Sequence, residues 1–205
     1  MKQKKPLLIG LTGSIGMGKS TAAKRFAALG LPVFCADDVV HILLAEEGSA
    51  KTKIMKLFPQ AIQAGQISRK KLGKLVFEDS EKREKLEKVL HPLVRKAEKT
   101  FWEKAKKDKV RAVLFDIPLL FETGVDKKCD ITLCVSASAE IQKERVLRRK
   151  NMTEDRFHAI LKQQMPDAEK KRRATFIITS DDERGDMYRQ IKILWAKIEK
   201  EFLNA

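Results

Sequence analysis

Cysteine is scarce in this chain. Cys35, Cys129 and Cys134 are the only three in 205 residues, and no C-x-x-C pair occurs. An odd, scattered set argues against a disulfide-stapled fold and against zinc-site spacing. It fits a reducing compartment, so a cytoplasmic location is expected. Aromatic residues are also few, 6% with a single tyrosine, and no RNP1-like run appears. Both facts count against RNA binding. No apolar segment reaches the length of a membrane span, so no membrane partner is expected. The start Met1-Lys2-Gln3-Lys4-Lys5, followed by Leu7–Leu11, has the outline of a signal peptide. Its apolar stretch is too short and runs into Gly13, so that reading is rejected. Repeats and low-complexity linkers are lacking as well.

Charge is abundant. Lys and Arg number 43 against 28 Asp and Glu, a net +15, within a composition that is 43% hydrophobic and 35% charged. The hydrophobic share fits a globular chain, and the length suits one domain over residues 1–205. The excess charge should attract anions such as nucleotides or nucleic acid. Much of it reads as solvated helix surface, since Glu81 and Lys85, Glu84 and Lys88, and Glu103 and Lys107 stand four apart.

Five apolar runs read as buried strands: Leu7–Leu11, Pro32–Cys35, Val110–Phe115, Ile131–Val135 and Phe176–Thr179. They are continuous rather than alternating, which suits a parallel sheet covered on both faces. Helical patterns between them suggest βαβ units, hence an α/β fold. The long interval from Asp37 to Lys109 reads as several helices punctuated at Gly48, Pro59, Gly65 and His91-Pro92, the last as a helix start. Met187, Ile191, Leu194, Trp195, Ile198 and Phe202 fall on one helical stripe that should pack on the sheet.

The first strand runs into Gly13-Ser14-Ile15-Gly16-Met17-Gly18-Lys19-Ser20-Thr21, a full G-x-x-x-x-G-K-[ST] pattern. Glycines let backbone N–H groups turn toward phosphate oxygens, and the following helix adds its positive end. Lys19 is placed to reach the β- and γ-phosphates and Ser20 to bind Mg²⁺. Such a loop holds a phosphate without saying where it goes. No Asn-Lys-x-Asp tetrad is present, which counts against a typical GTPase.

Other candidates carry two readings each. Asp37 and Asp38 follow the second strand, where a carboxylate can serve as base or cap the next helix. Asp116 ends the third strand as a Mg²⁺-binding carboxylate or a turn residue. Arg145 and Arg149 share a helical face, either as phosphate-stabilising cations or as exposed basic surface. His91 reads first as a capping or packing residue.

Taken together, these pieces resemble the dephospho-CoA kinase family over nearly the whole chain. Ile9–Thr21 looks like that family's opening, Leu31–Asp37 its second-strand motif, Leu86–Val94 its HP motif, and Asp116–Glu122 its D-x-PLLFE segment. Gln142, Arg145 and Arg149 match Q-x-x-R-x-x-x-R, and Gln164 fits a later glutamine. The resemblance implies transfer of the ATP γ-phosphate to the ribose 3′-hydroxyl of dephospho-CoA, with Mg²⁺. It implies a three-layer P-loop fold of strand order 2-3-1-4-5, with a helical acceptor region over about 38–109 and a lid over about 143–173. It makes Asp37 the base and Arg145 and Arg149 lid cations. It puts His91, Leu119, Phe121 and Glu122 near the acceptor and Ser180 near the adenine. Cys35 stands where the family has aspartate, and Thr179-Ser180 where it often has Asp-Asn. Asp181-Asp182-Glu183 is more acidic than the family pattern. Another small-molecule P-loop kinase, for nucleosides or nucleotides, is the alternative. An ATP-switched nucleic-acid-binding protein is a third reading, motivated by Lys170-Lys171-Arg172-Arg173. Monomer and homo-oligomer are equally compatible with the sequence.

Overall fold

Four of the five apolar runs match an observed strand to within a residue at both ends. The computed structural model describes residues 5–181 and 184–204; Asp182 and Glu183 lie outside the described residues. The main sheet contains β1 (Leu7–Thr12), β2 (Val33–Cys35), β5 (Ala112–Asp116), β6 (Ile131–Ser136) and β7 (Phe176–Thr179). Their order is β2-β5-β1-β6-β7. This is the expected 2-3-1-4-5 once the small hairpin β3 (Ile62–Gln63) and β4 (Gln66–Ile67) is set aside. β1 pairs in parallel with β5 and β6, and β6 with β7. Every residue of β5 and β6 is buried, as continuous apolar runs demand.

The chain divides into two units, one ending at Phe34 and resuming at Ala105, the other Cys35–Lys104. In the first, α1 (Lys19–Ala28) contributes Ala22, Ala23 and Phe26 to a core with Ile9, Leu11, Leu114 and Leu133. α9 (Arg184–Ile198) adds Met187, Ile191 and Ile198. Phe202, expected on the same stripe, is 41% exposed, and Leu203 packs instead. The chain widens there into a π-helical turn, Glu199–Leu203, closed by Asn204 N–H on the Glu199 carbonyl, so the buried face shifts by one residue. The start of β5 also moves inward. Val110 N–H bonds to the Ala105 carbonyl, and Lys109 takes a left-handed backbone, which holds Val110 out of the ladder.

The second unit contains α2 (Ala36–Ala45), α3 (Ser49–Leu57), the β3-β4 hairpin, α4 (Arg69–Glu78) and most of α5 (Ser80–Lys107). Leu44, Ile54, Phe58, Ile67, Leu72 and Leu90 form its core. Lys51 is buried among them, bonded to Glu47 and, at 2.5 Å, to Gln66. His91-Pro92 does not begin a helix: Pro92 lies inside α5. One missing N–H leaves one carbonyl unpaired by helix bonding, which a 28-residue helix survives.

Candidate active site

The phosphate loop leaves β1 at Thr12 and enters α1 at Lys19. Met17 N–H bonds to the Ser14 carbonyl at 3.1 Å, and Gly16 and Gly18 take left-handed backbones with φ of 80° and 87°. Those two angles are why glycine is needed there. Gly13 is needed for space: a Cβ would stand 2.6 Å from the Val135 carbonyl oxygen.

Lys19 and Asp116, expected to serve the phosphates and the metal respectively, form an ion pair in which both side chains are largely buried. Asp116 is the last residue of β5, and its neighbour Ile117 donates its N–H to the Leu11 carbonyl at 2.9 Å. Thr12 Oγ1 donates to the Pro118 carbonyl at 3.0 Å, which ties the segment after β5 to the root of the loop. Ser20, one residue along α1, is exposed. Ser20 and Asp116 together offer hard oxygen donors of the kind Mg²⁺ prefers. Mg²⁺ commonly takes only one or two protein ligands and fills its remaining positions with water and phosphate, so the residues fit the metal.

Two further contacts hold the loop. The Ser180 hydroxyl donates to the Met17 carbonyl at 2.9 Å, while Arg145 donates to the Ser180 hydroxyl at 2.8 Å and to its carbonyl at 2.5 Å. Ser180 is buried. Expected beside the adenine by resemblance, it fastens the loop to α6 (Ala139–Leu147) through Arg145. Ile15 is held on both sides, by Gln142 and by Gln164. A cavity of about 640 Å³ opens beside these residues, lined by Ser14, Gln142, Gln164 and Asp167 among others.

Arg149 does not share a helical face with Arg145. α6 ends at Leu147, Arg149 N–H turns back to the Val146 carbonyl, and Asn151 takes a left-handed backbone. Arg149 is exposed in that turn. The expected lid contains α7 (Glu154–Lys162) and α8 (Asp167–Arg173).

On the acceptor side, Leu119 is exposed, but Phe121 is buried with the Arg173 guanidinium 4.7 Å over its ring. Glu122 pairs with Lys170 at 2.8 Å and accepts the Met165 N–H at 2.8 Å. Burial resists the charge on Glu122, yet Lys170 and that N–H outweigh it and hold the carboxyl below its ordinary value. Lys170 is fully buried and also donates to the Pro118 carbonyl at 3.2 Å. Sequence reasoning missed this residue, because nothing in a run of four cations marks one as buried.

Asp37 lies in the first turn of α2, exposed, and His91 lies exposed in α5. The N-cap of α2 is Cys35, so Asp37 and Asp38 are not caps. Their charges instead favour the positive end of the helix. Cys129 and Cys134 offer no nucleophile: burial, aided by nearby aspartates, pushes their thiols up to about 11 and about 12.

A family model for dephospho-CoA kinase matches residues 7–186. A dephospho-CoA kinase of Brucella melitensis is 48% identical over 185 residues, covering 90% of this chain and 92% of the relative. A crystal structure of a Thermus thermophilus protein aligns with a TM-score of 0.78 at 34% identity, over 95% of this chain and 99% of the other. The dephospho-CoA kinase of Campylobacter jejuni shares the fold, with a TM-score of 0.66 at 24% identity over 96% of this chain and 100% of that one.

Proposed function

The chain belongs to the dephospho-CoA kinase family, and from that premise we propose how its own residues divide the work of phosphorylating dephospho-CoA with ATP. The observation that carries the reading is the complete phosphate loop, with Lys19 and Asp116 meeting at its mouth, in a chain that matches the family from residue 7 to 186.

The loop N–H groups and the start of α1 receive the phosphates, and Lys19 exchanges Asp116 for the β- and γ-phosphate oxygens. Mg²⁺, held by Ser20 and Asp116, would neutralise phosphate charge when bound. The ribose 3′-hydroxyl oxygen forms a bond to the γ-phosphorus as the bond to the β–γ bridging oxygen breaks, and ADP leaves. The hydroxyl proton passes to the Asp37 carboxylate, the base assigned by resemblance. Arg149, exposed beyond α6, is free to approach the transferring group as a lid cation. Arg145 acts one step back, by holding Ser180 against the loop. By resemblance, His91, Leu119, Phe121 and Glu122 are the residues assigned to the acceptor; His91 and Leu119 are exposed. The substrates are ATP and dephospho-CoA. A cytoplasmic location agrees with the three free cysteines, since a reducing compartment keeps thiols unpaired.

Mass-spectrometric detection of CoA from dephospho-CoA, ATP and Mg²⁺ tests the reading. Turnover confined to a nucleoside panel would assign the chain to another small-molecule kinase. Asp37→Asn should lower turnover by about 100-fold or more with an unchanged melting temperature. Near wild-type turnover in that variant would remove Asp37 as base.

A further inference from the structure

Ile15, inside the phosphate loop, is held on both flanking peptide groups, at its N–H and at its carbonyl, by glutamines from different elements. Gln142, on α6 and 6% exposed, donates its Nε2–H to the Ile15 carbonyl at 2.7 Å. Gln164, in the turn after α7, accepts the Ile15 N–H on Oε1 at 3.1 Å. The amide orientations are forced, because a carbonyl can only accept and an N–H can only donate. The next residue leaves no slack: Gly16 has a left-handed backbone, and a Cβ there would stand 2.6 Å from Val146 Cγ2 and 3.1 Å from the Gln142 carbonyl oxygen. The two glutamines also line the cavity beside the loop.

We infer that Gln142 and Gln164 are positioning residues that set the orientation of the two peptide groups flanking Ile15, and with them the aim of the phosphate loop. This rests on the kinase reading above. Neither side chain is asked to touch the reacting atoms. Their effect runs through a loop whose N–H groups must meet phosphate oxygens, where a misplacement of about 1 Å can cost about 100-fold in rate. Gln164 comes from the expected lid, so a lid movement that carries it would act directly on the loop. Gln142 is the more buried of the two and keeps its bond away from competing water, so its loss should weigh more.

The test uses the full chain and four variants, with kcat, KM for ATP and melting temperature measured for each. Gln142→Met and Gln164→Met keep length and lose the amide. We expect kcat to fall about tenfold or more, further for Gln142→Met, with melting temperatures near wild type. The glutamate variants should part company. Gln164→Glu still accepts the Ile15 N–H, so kcat should stay within about threefold, while its added charge beside the triphosphate raises KM for ATP. Gln142→Glu cannot donate and sets a carboxylate against the Ile15 carbonyl, so its kcat should fall at least as far as in Gln142→Met. Wild-type kcat in both methionine variants overturns the assignment. So does a lowered melting temperature with kcat intact, or an equal response to the two glutamates. Should a glutamate variant fail to fold, the methionine pair still decides. Absence of CoA formation by the unaltered chain would instead refute the kinase reading, so the two failures are distinguishable.

Discussion

At Gly13 the loop passes so close to β6 that one methyl group would meet the Val135 carbonyl oxygen at 2.6 Å. Backbone cannot yield as a side-chain tip can, so Gly13→Ala should displace the loop. We expect turnover about 100-fold lower, measured as CoA formation. Gly30→Ala is the control. Gly30 has φ of 87° but nothing within 4 Å of an added Cβ, so only backbone strain of about 1 kcal/mol applies, and turnover should be kept. The contrast shows what a sequence conveys about single residues. Gly13, Gly18, Lys19 and Ser20 were legible because their chemistry is written in consecutive positions. The partners of Ser180 and Phe121, Met17 and Arg145 for one and Arg173 for the other, were hidden because they are remote in the chain. Lys170 was illegible for the same reason: only Glu122 and the Pro118 carbonyl reveal why a cation is buried.

Elements were legible where burial is uniform and blurred where an end depends on geometry. β6, and β5 apart from its start, read correctly because both faces are covered and the run is apolar. The early end of α6 and the shift from Phe202 to Leu203 depend on backbone turns that side-chain pattern does not encode. The β3-β4 hairpin was invisible: its strands are two residues each, and its turn rests on left-handed Ala64 and Gly65. The link between the segment after β5 and α8 gives a prediction at this scale. Glu122 has a lowered folded pKa, so it binds protons less readily folded than unfolded. Its stabilisation is therefore complete above the ordinary value of 4.5 and is lost as pH falls through the lower folded value. Lys170→Met removes the main partner and leaves a carboxylate against a largely buried wall. We expect about 3 kcal/mol less stability at neutral pH, with the gap to wild type narrowing as the solution is taken below pH 4.5. Urea denaturation across that range measures it, and a constant gap would show that the pair's charge is not what stabilises the link.

Across the whole molecule, the net charge of +15 was the feature least explained by the sequence. Part of it is surface pairing of the expected kind, such as Lys88 with Glu84 at 2.7 Å and Lys85 with Glu81 at 3.9 Å. The cluster that motivated a nucleic-acid reading is engaged within the protein. Lys170 binds Glu122, Lys171 binds Asp167 at 3.2 Å, Arg172 binds Glu169 at 2.7 Å, and Arg173 binds Asp126 at 3.0 Å. A patch that reads four phosphates in a row needs four available cations, and one of these is fully buried. A basic surface binds polyanions in proportion to the counterions that binding releases, so such attraction is strongly salt-dependent. A 20-mer of single-stranded RNA should therefore bind more weakly than about 10 µM at about 150 mM salt. Any binding at low salt should fade steeply as salt rises, and CoA formation should be unaffected by the RNA. Fluorescence anisotropy over a salt series measures the first two, and the CoA assay with added RNA the third. Submicromolar binding that survives physiological salt would restore the nucleic-acid reading, with Lys171, Arg172 and Arg173 exchanging their carboxylates for phosphates.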